Sequence, residues 1–512
     1  MVRPQPGDDG PVAAGAAPAK GPGAGPAAPS ARWAIGLLTQ WATAHPWIDR
    51  AVVLVAAGLT GLTVVGFTVL ADWGTRVFVS LSTGTGWAAW LALAWTPVMT
   101  ILVVWWMRRF APGALGSGIP QVVRAVESEL PAPQRRWLVS PSLALHKVGL
   151  VSAGLLAGLS IGREGPTVQV GAGLMVGARR WLSASSHVDE HDLMVAGAAA
   201  GIAAAFNTPL GGIVFGLEQL TRRRGLQHST LVIAVIVLAG LVAVAFFGNN
   251  SYFGRLRVQE LSWSLLPAGL AVALASGLAG GLFARLMLRC AGHGDERWGR
   301  WRRDHPYRFA AACAFAVAVI GLVTGGQTAG AGYAPTRALL EGQAELPGIY
   351  TLLKFCATWL SAWTGVPGGV FAPSLAIGAG IGHDFAAAAG VPPQAAIPLI
   401  ALGMVGFLAA TTQTPITAFI IVMEMVSGHS MVLSLMACAM LAAGVSRLIS
   451  PPMYNGLAAG LPVPEPSGPA ANAPAAGSSS SAAVPPAAAA TTAQAMDLGP
   501  ADPSGRSPPS GM

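Results

Sequence analysis

Charge is scarce in this chain. Only 10% of its 512 residues are Asp, Glu, Lys or Arg, where soluble proteins average about 25%. With 53% hydrophobic residues and a mean hydropathy of +0.56, that scarcity excludes an ordinary soluble protein. Cysteine is rarer still. Cys290, Cys313, Cys356 and Cys438 stand far apart, and no CxxC pair exists. A zinc ribbon or a disulfide framework is therefore excluded, and the four read as small buried hydrophobes. The first residues lack the apolar core of a signal peptide. The net charge of +8 does not point to nucleic acid. Its basic residues sit at the ends of apolar segments: Arg108-Arg109, Arg135-Arg136, Arg179-Arg180, Arg222-Arg223-Arg224 and the run 297–308. That is the distribution of positive-inside anchors.

What is present is a series of apolar stretches at 51–70, 88–107, 231–248, 265–288, 309–324 and 431–445. Each reaches or approaches the ~18–20 residues needed to cross a bilayer. The fold class is an all-α polytopic membrane protein in the plasma membrane. Sixty-five glycines fit close helix packing in lipid and interrupted helices. A Pro/Gly/Ala-rich arm at 1–32 and a Pro/Ala/Ser-rich tail at 461–512 read as disordered. The membrane domain occupies 33–460.

Three glycine-rich breaks interrupt the apolar pattern. They are Gly116-Ser117-Gly118-Ile119-Pro120, Gly162-Arg163-Glu164-Gly165-Pro166, and Gly369-Val370-Phe371-Ala372-Pro373. In each, the proline suits the first turn of a new helix, and the glycines let backbone approach a small ligand. The second half of the chain echoes the first. Lys147 and Lys354, Gly162 and Gly369, and Pro166 and Pro373 are each 207 apart, and Thr208-Pro209 and Glu218 recur 206 later as Thr414-Pro415 and Glu424. Repeats with broken helices are typical of transporters, whose sites lie between the repeats near the midplane. The halves divide at about 225.

A helix start carries roughly half a positive charge and unpaired N–H groups, so three such starts make an anion site. The breaks lack the carboxylate ring expected of a cation filter. Arg163 and Glu164 at membrane depth are costly and therefore functional candidates. An ionised Glu164 can occupy an anion position and leave it on protonation; a structural Arg163–Glu164 ion pair is the alternative. Two motifs point elsewhere. Gly158-Leu159-Ser160-Ile161-Gly162 matches a hydrolase nucleophile turn, and His187-Val188-Asp189-Glu190-His191 matches a metalloprotease pattern. Neither has the context its chemistry requires, so no enzyme, metal or cofactor is expected. Glu424 reads as structural, and Lys147 as paired or snorkelling.

In order and spacing, the three breaks resemble the signature stretches of the CLC chloride channel and H+/Cl− exchanger family. Phe206-Asn207-Thr208-Pro209-Leu210 and Pro452-Met453-Tyr454 are similar to further family landmarks. The resemblance implies a CLC-type fold of two inverted repeats, a homodimer with one pore per subunit, and chloride, with or without protons, as the transported species. It implies Ser117, Gly118 and Tyr454, with amides of Val370 and Phe371, at a central chloride. It also implies amides of Arg163 and Gly165 at an outer site and Glu164 as the gate. Serine at 117 resembles chloride-type members; proline there is associated with nitrate. Proton-coupled members carry a glutamate at the position of Gln219, which cannot titrate; Glu218 beside it matches a commonly acidic position, but on a helix it points roughly 100° away. Acids frequent after the first break are here Gln121, Val122 and Val123. An uncoupled channel is the alternative to the exchanger.

Overall fold

The computed structural model describes residues 44–83, 88–128, 130–221, 229–248, 253, 263–291, 297–343 and 346–464. The expected arm at 1–32, Trp33, Trp41, the arginines at 222–224, the side chain of Cys290 and the tail beyond 464 lie outside the described residues. Among the described residues, eight helices are long and apolar enough to cross a membrane. Before residue 225 stand α1 (Ala44–Ser82), α2 (Ala88–Phe110), α3 (Ile119–Glu127), α4 (Ala132–Leu138), α5 (Pro141–Leu156), α6 (Glu164–Ala178), α7 (Glu190–Phe206) and α8 (Pro209–Phe215). After it stand α9 (Ser229–Phe247), α10 (Leu266–Ala291), α11 (Arg297–Asp304), α12 (Pro306–Val323), α13 (Tyr333–Leu340), α14 (Tyr350–Trp363), α15 (Phe371–Ala388), α16 (Pro393–Thr412), α17 (Pro415–Val426), α18 (Val432–Arg447) and α19 (Met453–Ala459).

Apolar length and burial sort these helices. α1 runs past its expected end at Leu70 to Ser82. Its 39 residues measure about 58 Å at 1.5 Å each, against about 30 Å of hydrocarbon, so it must tilt or project. Leu59, Leu62, Leu102 and Leu278 stay exposed on their spans, as side chains facing lipid do. α16 differs: 89% of its apolar window is buried, against 33–56% in the other spans. α15 and α16 have 18 and 20 residues, longer than the short helices expected there.

The repeat is built into the packing. α6 crosses α7 where Gly171 meets Gly197, and α15 crosses α16 where Gly378 meets Gly403. A Cβ on any of the four would strike the facing backbone, so only glycine permits this approach. α7 and α16 end alike, on left-handed Asn207 (φ 56°) and Gln413 (φ 56°). These pairs keep the 206–207 offset.

One break escaped the sequence pattern. Gly330-Ala331-Gly332 opens α13 with φ of +61° and +82°, matching Gly116 (+69°) and Gly118 (+105°) before α3. Its offset is 330 − 116 = 214, seven more than the other landmarks, and alanine replaces the serine.

Candidate anion site at the helix breaks

The breaks pair across the repeat. Gly162 N–H donates to the Gly369 carbonyl and Gly369 N–H to the Gly162 carbonyl, both at 2.7 Å. The two form an isolated antiparallel bridge, so the chain enters α6 and α15 from opposed directions. A Cβ on Gly369 would lie 2.9 Å from the Gly165 nitrogen; side chains are excluded from this junction.

Around the bridge, helix starts converge without side-chain caps. α3 begins after Gly118, α6 after Arg163 and α15 after Val370, and none has a capping side-chain hydrogen bond. By contrast, α5 is capped by Ser140 and α7 by Asp189. Ser117 Oγ packs against Gly165, and a Cβ on Gly118 would sit 3.1 Å from the Gly165 carbonyl. The Tyr454 hydroxyl lies beside that of Ser117, and its ring stacks on Phe371 at 6.1 Å and 14°. Phe206 and Phe215 complete a cage around Phe371, at 6.1 and 6.3 Å. The hydroxyls of Ser117 and Tyr454 are buried without a hydrogen-bond partner. Buried polar atoms left open call for a specific explanation, and a small anion provides one.

Glu164 is fully buried, and neither carboxylate oxygen has a hydrogen-bond partner. The carboxylate lies near the amides of Glu164 and Ala372 and above Gly162, where any Cβ would collide with it. The Arg163 guanidinium makes its ion pair with Asp72 on α1, which corrects the Arg163–Glu164 ion-pair reading.

Two cavities approach this point. One, of about 380 Å³, is lined by Ser117, Val370, Tyr454, Arg108, Arg302 and Arg303. The other, of about 1350 Å³, is lined by Asp72, Arg76, Arg163, Asn207 and Arg337. Arg163 faces the second cavity, and Gly165 abuts Ser117 of the first. Glu164, the residue between Arg163 and Gly165, lines neither cavity.

The chain has three lysines; the two described ones brace the breaks and do not snorkel. Lys147 donates to the carbonyls of Ala114 and Gly116, both at 2.7 Å. Lys354 donates to Thr328 O at 2.9 Å, Gly330 O at 2.8 Å and Ser160 Oγ at 2.9 Å. Ser160 Oγ also contacts Thr358 Oγ1 at 2.8 Å, so the serine of the hydrolase-like motif is part of this brace. In the metalloprotease-like motif, Glu190 pairs with Arg135 at 2.9 Å and His191 leans on Asp192. Gln121 braces the first break by donating to Leu115 O, while Val122 and Val123 are buried.

At the inner proton position, Gln219 is buried and donates to Asn455 Oδ1 at 3.4 Å. Glu218 is engaged elsewhere. It accepts from Ile416 N (3.2 Å) and Thr417 N (2.7 Å) at the start of α17. Glu424 reciprocates at the start of α8, from Leu210 N (3.3 Å) and Gly211 N (2.7 Å). Each repeat thus caps a helix of the other, and a π-turn at Gly216–Leu220 aims Glu218 there. Charged caps are worth about 1–2 kcal/mol. Glu218→Ala and Glu424→Ala are expected to lower thermal stability in detergent by similar amounts. A variant as stable as wild type would show the cap to be dispensable.

Sequence reasoning found Ser117, Glu164, Gly165, Val370, Phe371 and Tyr454, which lie together, and Gln219 and Glu218, which diverge. It missed Asp72, Asn455 and the bracing role of Lys354, none of which belongs to a local motif.

Comparison with known proteins agrees with this architecture. The voltage gated chloride channel family profile matches residues 99–447. The chain is 30% identical over 431 residues to the H(+)/Cl(-) exchange transporter ClcA of Salmonella paratyphi A, covering 79% of this chain and 87% of that protein. The same transporter of Salmonella paratyphi B is 30% identical over 437 residues (80% and 88%). Among solved structures, a slow cyanobacterial Cl−/H+ antiporter superposes with a TM-score of 0.67 at 23% identity, covering 80% of this chain and 97% of that one. A CLC-type fluoride/proton antiporter gives 0.64 at 22% (80% and 96%). With that profile spanning most of its membrane domain, this chain belongs to the CLC family of voltage gated chloride channels.

Proposed function

We propose that this protein carries chloride across its membrane from the smaller, arginine-lined cavity, past Ser117 and Tyr454, to the larger one, with Glu164 as the gate. The observation that carries this reading is the Glu164 carboxylate, buried and unpartnered at an uncapped helix start, with its neighbour Arg163 on the larger cavity and Gly165 against Ser117 of the smaller. An ion in its place would meet the amides of Gly165, Phe371 and Ala372 and the two hydroxyls. Such donors bind an anion without the full countercharge that would trap it. Relatives named as H+/Cl− exchangers support chloride as the substrate.

The inner end favours flux without obligatory proton exchange. Gln219 has no proton to exchange, and Glu218 is held by two backbone amides. The test is chloride efflux from proteoliposomes with pH recorded. Chloride should move, and a chloride gradient should fail to drive protons uphill. Uphill proton movement would overturn the uncoupled reading; absence of chloride flux would overturn the function itself.

Arg108, Arg302 and Arg303 at the ends of apolar spans support a cytoplasmic side for the smaller cavity. An exposed apolar face formed by Leu210, Leu241, Ile416 and Leu433 on α8, α9, α17 and α18 supports pairing with a second copy of the chain.

A further inference from the structure

One rim of the molecule carries arginines that no carboxylate answers. Arg163, Arg337 and Arg135 are each paired with an acid. In contrast, Arg297, Arg300, Arg303 and Arg308 are exposed and have no salt bridge among the described residues. They lie on α11 and at the start of α12. Arg108 and Arg109 end α2, which packs against α12, and both are exposed without an ion pair. These ends meet at the smaller cavity, whose wall includes Arg108, Arg302, Arg303 and Pro306.

Aromatic residues interleave with this charge. Trp298 is 57% exposed, Trp106 46% and Tyr307 39%. α12 is a membrane span from its first residue, Pro306, and α2 is a span to its last, Phe110. The rim therefore lies at the level where hydrocarbon gives way to headgroups. Indole and phenol rings prefer that level, and arginine forks match phosphate oxygens. The four arginines and one aspartate of α11 (Arg297, Arg300, Arg302, Arg303 and Asp304) make it cationic on a face that points out of the protein.

We propose that this rim is a binding site for anionic glycerophospholipid headgroups, formed by Arg297, Arg300 and Arg308 with Trp298 and adjoining the mouth of the smaller cavity. A phosphate diester bridges these guanidinium groups while its acyl chains lie along α2 and α12. Charge complementarity selects this occupant: between residues 295 and 308 five arginines stand against three acids (Asp295, Glu296 and Asp304), and the anionic leaflet supplies phosphates at that depth.

The experiment is lipid-selectivity measurement with the purified full-length protein in phosphatidylcholine membranes containing spin-labelled phosphatidylglycerol or phosphatidylcholine. Wild type is expected to enrich phosphatidylglycerol, with selectivity falling about fivefold for each arginine removed. R300Q and R308Q should each lower it, and the triple variant R297Q/R300Q/R308Q should abolish it; R179Q/R180Q should leave it unchanged. Single substitutions of exposed residues keep the test valid if the triple variant fails to fold. Selectivity retained in R300Q and R308Q would overturn the proposal. So would equal competition by soluble glycerophosphate, which would mark a free-phosphate site. Because the readout is lipid binding, it stands or falls separately from chloride flux.

Discussion

Chloride efflux through Glu164→Gln is expected to exceed that of wild type by about tenfold at alkaline pH, equivalent to about 1.4 kcal/mol off the barrier, and to lose its pH dependence. The argument rests on charge and place. On the proposed gating role, the ionised carboxylate takes the place an anion needs, and protonation discharges it. Flux should therefore rise as pH falls and decline as pH rises. Glutamine keeps the shape but carries no charge at any pH, so the variant should behave at pH 8 as wild type does in acid. The charged groups that act on Glu164 are Arg163 and Asp72 on α1, which pair with each other; the Tyr454 phenol on α19 also faces the site, and Lys147 on α5 and Lys354 on α14 brace the neighbouring breaks. The lysines are held on backbone carbonyls, which leaves Glu164 as the group able to respond. Proteoliposome efflux between pH 5 and 8 measures this. A Glu164→Gln profile that still tracks wild type across that range would remove Glu164 from the gating role.

How much of this site was legible beforehand depends on how local each signal is. The second break was legible because glycine, proline and a charged pair stand together in an apolar run, where each is costly. Its pairing with Gly369 was legible because the landmarks share one offset. Asp72 was not, because it lies 91 residues from Arg163 on a helix with no motif of its own; only packing brings them together. The Gly330–Gly332 break was hidden by a seven-residue slip in the repeat and by Ala331 standing where Ser117 does. Glu218 and Glu424 were recognised as repeat partners, yet their exchange of helix caps depends on backbone amides, which carry no sequence signature. The same holds for the fold. Spans were readable from hydropathy, whereas the Gly171–Gly197 and Gly378–Gly403 crossings appear only once the helices are placed.

The repeat symmetry also ranks the braces, and Lys354→Met should produce the larger structural loss. Lysine offers three donors, and Lys354 has three acceptors within 2.9 Å: two carbonyls on one side of the Gly330 break and Ser160 on the other. Methionine fills similar volume but supplies none of them. Each buried acceptor left open costs about 1–3 kcal/mol, so a loss of about 3–9 kcal/mol is expected for the three, read as a lower unfolding temperature in detergent. Ser160→Ala removes one acceptor and leaves both carbonyls satisfied. It should cost little stability and keep chloride flux near wild type, whereas a catalytic serine would show in lost hydrolysis instead. Lys147→Met opens two carbonyls and should fall between them in stability. Because those two carbonyls belong to the break that carries Ser117, it should also reduce flux, while Lys354→Met acts on a break whose equivalent residue, Ala331, has no hydroxyl to offer an anion. An unfolding temperature for Lys354→Met equal to that of wild type would show that the buried ammonium does not hold the two repeats together.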